Sequence, residues 1–414
     1  MGPITLFDKS FLEMLSIDQA ALFDSLYSAN ICPVFLTEAL ADLSKTPPGN
    51  RTVEKIVSDL AMKSPPMHCY PNAEHTSLCL AELFGHSIEL RGVPAMTSGK
   101  LVQHEGQLGV VFDGQEELAA LLRWQEGKFY DLERKHARRW RDAMKGIDHR
   151  LLAELARSAL GINERPKTMA DAHAIAGQAV DGSTSQGPQL RVALALLGLD
   201  VDLFPAVHKR WVDAGRPRLR EFAPYTAYCL HVELFFHVCI EKKLISPDRA
   251  SNRVDIAYLF YLPFCQVFVS NDKLHRAAAP HFLTTRQQFI FGQELKADLG
   301  RLDDYFSAMP EADREDGLIR LVGGPPDDDS FLTTRVWKAA GFRSRPKLDP
   351  SKLGDSGPIL AKVRAMQEAK PVEGAQGGRM PSKDELEHVA IKRLVPRRMG
   401  KWALLPPGVK SIAE

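Results

Sequence analysis

The stretch that decides the fold is 253-RVDIAYLFYLPFCQVFVSNDKLHR-276. It predicts a short apolar helix that begins at Asp255, a break at Pro263 and a buried strand around 267–269. The turn after the strand carries Ser270, Asn271 and Asp272. Open α/β sheets bind ligands in the crevice above the carboxyl ends of their strands. Asp272 is therefore the best single candidate for a catalytic residue.

The N-terminus repeats this pattern. Residues 4–7 form a short apolar run of strand character, and Asp8, Lys9 and Ser10 follow it directly. Because the carboxyl ends of parallel strands meet at one edge of a sheet, two strands that each lead into an aspartate predict one shared pocket.

Length and composition set the class of protein. A chain of 414 residues can bury a large core, and its length favours two or three structural units. A hydrophobic content of 44% and a charged content of 25% are ordinary for a globular protein. The net charge of +1 excludes a strong overall field, so any surface that binds a polyanion must be local.

Targeting signals are not evident. The N-terminal stretch MGPITLFDKS lacks the basic and apolar regions of a signal peptide, and the apolar stretches are too interrupted to predict a transmembrane helix. Six scattered cysteines do not form a disulfide framework. We expect a cytoplasmic protein with buried thiols and no membrane partner.

Periodicity predicts the order of elements. Near the N-terminus it predicts a helix over 17–28, a strand over 29–33 and a helix over 36–43 that carries Glu38. After the breakers at 46–50 the pattern becomes mainly helical. Further predicted strands are Ile88–Val93 and Leu108–Phe112, the second closed by a turn at Asp113-Gly114, and further predicted helices are 116–145, 148–160, 168–180, 189–215, 222–243, 287–302 and one that begins at Ser382.

Four acidic residues in this order resemble the pattern of PIN-domain nucleases: Asp8 with Ser10, then Glu38, Asp255, and Ser270-x-Asp272. The resemblance covers the first 45 residues or so and the region around 250–300. It implies an α/β chain with a PIN-like three-layer α/β/α core and a central, mostly parallel sheet. The implied domain is discontinuous, over 1–45 and 246–306, with a mainly α-helical insertion at 46–245 and an irregular C-terminal extension with a basic tail at 307–414.

The chemistry of the residues agrees with this resemblance. Converging carboxylates repel one another unless a cation neutralises them, and oxygen ligands suit Mg²⁺ or Mn²⁺. The four acids would then be catalytic metal ligands in an enzyme that hydrolyses phosphodiester bonds of RNA or, less favoured, single-stranded DNA. Ser10, Ser270 and Asn271 would orient the carboxylates. Substrate phosphates would be held by Lys9, Arg253, Lys273, His275 and Arg276.

Two other functions remain open. The first is a catalytically inactive PIN-like scaffold whose helical insertion binds a protein, a nucleic acid or a second copy of the chain. The second is a helical interaction module in which the acids are unrelated. Each acid would then cap a helix or face solvent, and the four would lie far apart.

Several weaker patterns have alternative interpretations. His68, Cys69, His75, Cys79 and His86 could ligate zinc, although no paired-ligand spacing is present and buried thiols with surface imidazoles are favoured. His231, Glu233 and His237 share one helix and are favoured as core or interface residues. The basic cluster 134–141 around Trp140 could grip a nucleic acid or form a solvated helix face. The basic tail at 392–401 could bind a polyanion or pack back on the region of the acidic pocket.

Overall fold

The structure is a computed structural model that describes residues 2–46, 49–96, 99–112, 116–182, 187–249, 251–344, 357–372 and 388–406. Its strands are β1 (Ile4–Phe7), β2 (Ser28–Ile31), β3 (Cys69–Pro71), β4 (Gly99–His104), β5 (Gln107–Phe112), β6 (Val267–Ser270), β7 (Gln288–Phe291), β8 (His388–Ile391), β9 (Arg398–Met399) and β10 (Trp402–Ala403). The helices before β6 are α1 (Lys9–Met14), α2 (Ile17–Leu26), α3 (Pro33–Ala41), α4 (Val53–Ala61), α5 (His75–Leu83), α6 (Glu116–Gln125), α7 (Asp131–Gly146), α8 (His149–Leu160), α9 (Met169–Asp181), α10 (Gly187–Leu196), α11 (Phe204–Asp213), α12 (Leu219–Phe222), α13 (Pro224–Glu241) and α14 (Ser251–Tyr258). The helices after β6 are α15 (Lys273–Ala278), α16 (Gly292–Ser307), α17 (Glu311–Glu315), α18 (Leu318–Leu321), α19 (Leu332–Ala339) and α20 (Gly357–Glu368). Short 3₁₀ helices lie at Asp42–Ser44, Val201–Leu203, Leu259–Phe264 and Ala279–His281.

The centre of the fold is a five-stranded sheet in the order β3-β2-β1-β6-β7, and its four pairings are all parallel. The chain is therefore an α/β protein, as the sequence predicts. Helix α2 packs against α16, which packs against α19, whereas α3 packs against α7 and α14. This grouping is compatible with helices on both faces of the sheet.

Local chemistry explains where the first elements begin and end. The carboxylate of Asp8 caps α1 by accepting from the amide of Phe11, and Ser16 forms a capping box with Gln19 at the start of α2. Pro33 stands in the first turn of α3, where it has no amide to leave unpaired. β1 is buried at three of its four residues, as is typical of a strand that helices cover on both faces.

One hydrophobic core joins the sheet to the segment predicted as an insertion. The ring of Phe7 in β1 meets the rings of Phe23 and Phe35 edge-on, at centroid distances of 5.7 and 5.2 Å. The same core contains the side chains of α13, which is buried on nearly every side. Asn30, buried in β2, donates from Nδ2 to the carbonyl of Phe264 at 2.9 Å, which ties the sheet to the segment before β6. The sheet also gains β3 from within residues 46–245.

Four details differ from the sequence-based prediction. Residues 88–93 form no strand, because Gly92 has a φ of +72° that breaks the extended run. The predicted helix over 116–145 is two helices, α6 and α7, separated near Gly127, whose φ is +71°. The predicted helix over 189–215 is likewise two helices, α10 and α11. The predicted helix over 287–302 begins with the strand β7, and α16 follows.

The C-terminal extension is more regular than predicted. Between the breakers of residues 307–344 lie α17, α18 and α19, and the later described segments form α20 and three strands. β8 pairs with β5, and β9 pairs with β10. The predicted turn at Asp113-Gly114 and the predicted helix from Ser382 lie outside the described residues.

Candidate functional site at the switch point of the sheet

The candidate site follows from the strand order. The chain runs from β1 to β2 on one side of the sheet, and β6 and β7 occupy the other side, so the order reverses between β1 and β6. Ligands of open α/β sheets bind at such a switch point, beside the carboxyl ends of the strands. The residues that follow β1 and β6 are Asp8 and the Asn271-Asp272 pair. The prediction of one shared pocket at these two strand ends therefore matches the topology.

Asp8 is enclosed by donors at the end of β1. Its Oδ1 accepts from the amide of Phe11 at 2.9 Å, and its Oδ2 accepts from the hydroxyls of Ser10 and Ser270, both at 2.7 Å. The Nδ1 of His275 lies 3.4 Å from the same Oδ2. Burial opposes ionisation of Asp8, but the bond and charge of His275, with the two serine hydroxyls, hold its pKa below the ordinary value. Asp8 is therefore a carboxylate, and Ser270 joins the two strand ends directly.

His275 is the cation of this network. Its Nε2 lies 2.6 Å from the carbonyl of Asp255, which can only accept, so Nε2 must donate. The one hydroxyl hydrogen of Ser270 is directed to Asp8, so the Nδ1 of His275, 2.7 Å from Ser270 Oγ, must donate as well. Two donating nitrogens make the ring an imidazolium. Burial lowers the pKa of His275, yet Asp8 and Asp255 together raise it to about 9.

Glu38 and Lys9 form the second side of the site. The hydroxyl of Tyr258 donates to Glu38 Oε2 at 2.8 Å, and Lys9 Nζ lies 3.9 Å from Glu38 Oε1. Lys9 is only 4% exposed and makes a closer ion pair with Asp42, at 2.7 Å. Burial raises the pKa of Glu38, Lys9 partly offsets this, and the charge of Asp8 adds to the rise. The pKa of Lys9 is raised despite its burial, because Glu38, Asp42 and Glu13 surround it with negative charge.

Asp255 carries the least compensated charge of the site. Its Oδ2 is buried and has no hydrogen-bond partner among the described residues. The pKa of Asp255 is raised to about 7, mainly because the carboxyl is buried. The positive charge of His275 lowers this pKa, whereas the negative charges of Asp272 and Glu38 raise it. Asp272 caps α15, because its Oδ1 accepts from the amides of Leu274 and His275 at 2.6 and 3.4 Å.

The four predicted acids are thus neighbours in one electrostatic network rather than isolated caps. Asp8 interacts with Glu38, and Asp255 interacts with both Glu38 and Asp272. Sequence reasoning missed two participants. Asp42 follows Glu38 by four residues and Tyr258 follows Asp255 by three, so helical spacing from the predicted acids is the signal that would have found them.

A divalent cation fits the donor chemistry of this network. His275 offsets Asp8, and Lys9 offsets Asp42, which leaves Glu38, Asp255 and Asp272 in excess. The buried, unbonded Oδ2 of Asp255 is an oxygen that a hard cation could use. Within the described ranges, however, no three His, Cys, Asp or Glu side chains are already arranged around one position for an ion.

The basic residues predicted to bind substrate fall into two groups. Lys9 and His275 are buried and pair with carboxylates, and Arg253 pairs with the buried Glu233. Lys273 and Arg276 are exposed on α15, where the guanidinium of Arg276 lies over the ring of Phe291 at 4.9 Å. Of the five basic residues predicted to bind substrate, Lys273 and Arg276 are the exposed ones.

The weaker patterns have structural explanations. Cys69 and Cys79 are buried free thiols, His75 stacks on Phe260, and His68 bonds to the backbone of Asp24. His231 and His237 are buried in α13, where burial lowers the pKa of each. In the C-terminal tail, Arg393 donates to the carbonyl of Met67 and lies over the ring of Tyr70, so that part of the tail folds back on the protein.

Two general findings complete the comparison with expectation. All six cysteines are free and buried, which confirms the prediction of buried thiols. Among the described residues, no helix has both the length and the apolar character needed to cross a bilayer. No protein-family model, curated protein or solved structure is significantly similar to the chain.

Proposed function

We propose that the chain is a metal-dependent nuclease with a PIN-like core, and that Asp8, Glu38, Asp255 and Asp272 hold Mg²⁺ or Mn²⁺. The single observation that carries this proposal is the buried Oδ2 of Asp255, which has no hydrogen-bond partner among the described residues and lies beside Asp272 and Glu38 at the switch point. A buried carboxyl without a partner is costly in its charged form unless a cation neutralises it, and carboxyls with raised pKa values in a cleft are frequent at functional sites. The resemblance in sequence supports the same proposal.

The chain's own residues have separate tasks in this proposal. Ser10 and Ser270 fix the orientation of Asp8, and Tyr258 fixes that of Glu38. Lys9 lies between Glu38 and Asp42 and supplies the positive charge that both carboxylates face. A bound divalent ion would activate a water and neutralise charge on the phosphodiester. Lys273 and Arg276, exposed at the edge of the site, would hold substrate phosphates.

The test is cleavage of labelled RNA and single-stranded DNA with Mn²⁺ or EDTA. Wild type is expected to cleave RNA with Mn²⁺ and to lose activity in EDTA. Asp255→Asn and Asp272→Asn should each lower the rate at least about 100-fold, because each removes a charged ligand. Asp213→Asn, at an exposed carboxylate that pairs with Lys209, is the matched control and should keep full activity. Equal cleavage by all three variants and wild type would remove the catalytic assignment.

One observation favours a second function, a PIN-like scaffold without activity. Four donors already surround Asp8, and one of them is the imidazolium of His275. A ligand that must leave these partners binds a cation less readily than a free carboxylate does. This alternative predicts that purified, folded wild type cleaves neither RNA nor DNA with either metal, although it still binds a partner.

A further inference from the structure

Helix α7 carries the densest run of positive charge in the described part of the chain. Residues 134–141, RKHARRWR, contain five Lys or Arg residues and no carboxylate. A charge run on a helix is usually a solvated face, so its meaning depends on which residues are paired and on what lies beside the helix.

Contacts on the inner side of α7 neutralise only part of its positive charge. Ala137 is buried, and Trp140 and Met144 pack against the hydrophobic core. Arg134 makes an ion pair with Glu54 of α4 at 2.6 Å. Trp140 is half-buried, and the packed part of its ring belongs to the core rather than to the outer face of the helix.

The outer side is left with unbalanced charge. Lys135, Arg138 and Arg139 are exposed, and none of them pairs with a carboxylate among the residues that the structure describes. Lys135 and Arg139 are one helical turn apart, about 6 Å along the axis, with Arg138 between them. Three unpaired cations on one face form a strip suited to consecutive phosphates rather than to a single anion.

The position of α7 relates this strip to the acidic site. α7 packs against α3 and against the 3₁₀ turn Asp42–Ser44, and these elements carry Glu38 and Asp42. The hydroxyl of Ser44 lies 3.5 Å from the carbonyl of Ala137. The helix that bears the strip is therefore a direct neighbour of the elements that supply the acidic side chains.

We propose that Lys135, Arg138 and Arg139 bind the phosphodiester backbone of a single-stranded nucleic acid whose scissile bond lies at the acidic site. This inference rests on the proposed function and names how the substrate is held. An acidic site repels a polyanion, and a cationic strip on the neighbouring helix would offset that repulsion. Because the strip would contact phosphates, which carry no base information, the binding that it provides does not depend on base sequence.

The experiment measures binding in EDTA, so that cleavage does not enter. Anisotropy of a fluorescent 20-nucleotide RNA is followed against salt for wild type, for Lys135→Glu/Arg138→Glu/Arg139→Glu, and for a control with the same change in charge, Arg165→Glu/Lys167→Glu/Arg216→Glu. The control residues are exposed and lie in other segments, next to α8, α9 and α11. Circular dichroism and thermal unfolding check that each variant folds.

The α7 variant should bind at least about tenfold more weakly at 100 mM salt. The slope of log K against log salt concentration should be less steep by about two, because each phosphate contact to a single strand contributes roughly 0.7 to that slope and three contacts are lost. The control should stay within about threefold of wild type. Equal weakening in both variants, or no weakening in the α7 variant, would overturn the inference. Displacement of the RNA by polyglutamate at equal total charge would also overturn it, since the strip would then fit an acidic protein.

This assay separates the two proposals. If wild type binds RNA through α7 but cleaves nothing with Mn²⁺, the nuclease proposal fails while the binding strip stands. If wild type cleaves and the α7 variant binds and cleaves as well as wild type, the strip fails while the nuclease proposal stands.

Discussion

At the scale of single residues, Lys9 is the cation on which the acidic region depends. It is 4% exposed and lies within 4 Å of carboxylates of Glu13, Glu38 and Asp42. Removing one member of a buried ion pair leaves its partner uncompensated, which costs far more than the pair itself contributes.

Lys9→Met should therefore lower the free energy of unfolding by about 3–5 kcal/mol, as measured by urea denaturation. Lys45→Met is the matched control, because Lys45 pairs with the same Asp42 at 2.6 Å but is 45% exposed. It should cost less than about 1 kcal/mol. Equal costs for the two variants would contradict the description of Lys9 as a buried counter-charge.

His237 gives the protein a dependence on pH. Burial, with help from the charge of Arg253, lowers its pKa to about 3. The unfolded chain takes up a proton near pH 6.5 while the folded chain does not. Stability therefore falls as the pH is lowered from about 6.5 toward 3, and it is fully present above that range.

His237→Leu should reduce the slope of unfolding free energy against pH between about 4 and 6 by one proton, or about 1.4 kcal/mol per pH unit. Denaturant titrations at four or five pH values measure this slope. His86→Leu, at an exposed position, controls for the loss of a surface histidine. An unchanged slope in His237→Leu would show that His237 titrates in the same way folded and unfolded.

At the scale of elements, one buried side chain of α16 caps the start of helix α19. Asp298 of α16 is 4% exposed and accepts from the amides of Leu332 and Thr333, both at 2.8 Å, and from the hydroxyl of Thr333 at 2.7 Å. It thus satisfies the free amides at the start of a helix that begins 34 residues later.

Asp298→Ala should cost about 3 kcal/mol of unfolding free energy, because it leaves buried donors without an acceptor. Asp304→Ala on the same helix is the matched control, since Asp304 is exposed, and it should change stability by less than about 0.5 kcal/mol. Thermal or urea unfolding measures both. A small effect in Asp298→Ala would mean that water replaces its bonds and that α19 does not depend on this cap.

The elements that the sequence predicts best are those with a strong local signal. The apolar runs of β1, β2 and β6 and the spacing of α2, α3 and α13 suffice to predict them. β3 and β7 were missed for physical reasons: β3 is three residues with a proline, and the four residues of β7 lead directly into α16, which begins at Gly292. Both are strands only because neighbouring strands pair with them.

The residues of the candidate site also differ in how far the sequence predicts their roles. The acids at the strand ends were predictable, because turn residues after buried strands leave a clear pattern. The roles of Lys9 and His275 were not, because a cation near a strand end could face a phosphate or a carboxylate. In the folded chain both are buried beside carboxylates: Lys9 pairs with Asp42, and His275 lies 3.4 Å from Asp8, which is distant in sequence.

At the scale of the whole molecule, the sheet and the helices of residues 46–245 share one core. α13 is buried along most of its length and belongs to the same apolar cluster as β1 and β6. We therefore expect the sheet and this helix to unfold together rather than as separate domains.

Native-state hydrogen exchange tests this expectation. The most protected amides of β1, β6 and α13 should exchange with the same opening free energy, which is that of global unfolding. Phe235→Ala should lower this free energy by about 3–5 kcal/mol in all three elements. Tyr305→Ala, at a side chain that is 42% exposed, is the control and should lower it by less than about 1 kcal/mol. Exchange of α13 through an opening that leaves β1 and β6 protected would mean that the helical region is an independent unit.

The central claim is that distant segments of the chain assemble a site for a divalent cation at the switch point of the sheet. Titration of the purified protein with Mn²⁺, followed by electron paramagnetic resonance at pH 8, tests it most directly. We predict that wild type and Asp213→Asn bind Mn²⁺ alike, whereas Asp255→Asn and Asp272→Asn bind it at least about tenfold more weakly. Binding of Mn²⁺ that is equal in all four proteins, or absent from folded wild type, would contradict the claim.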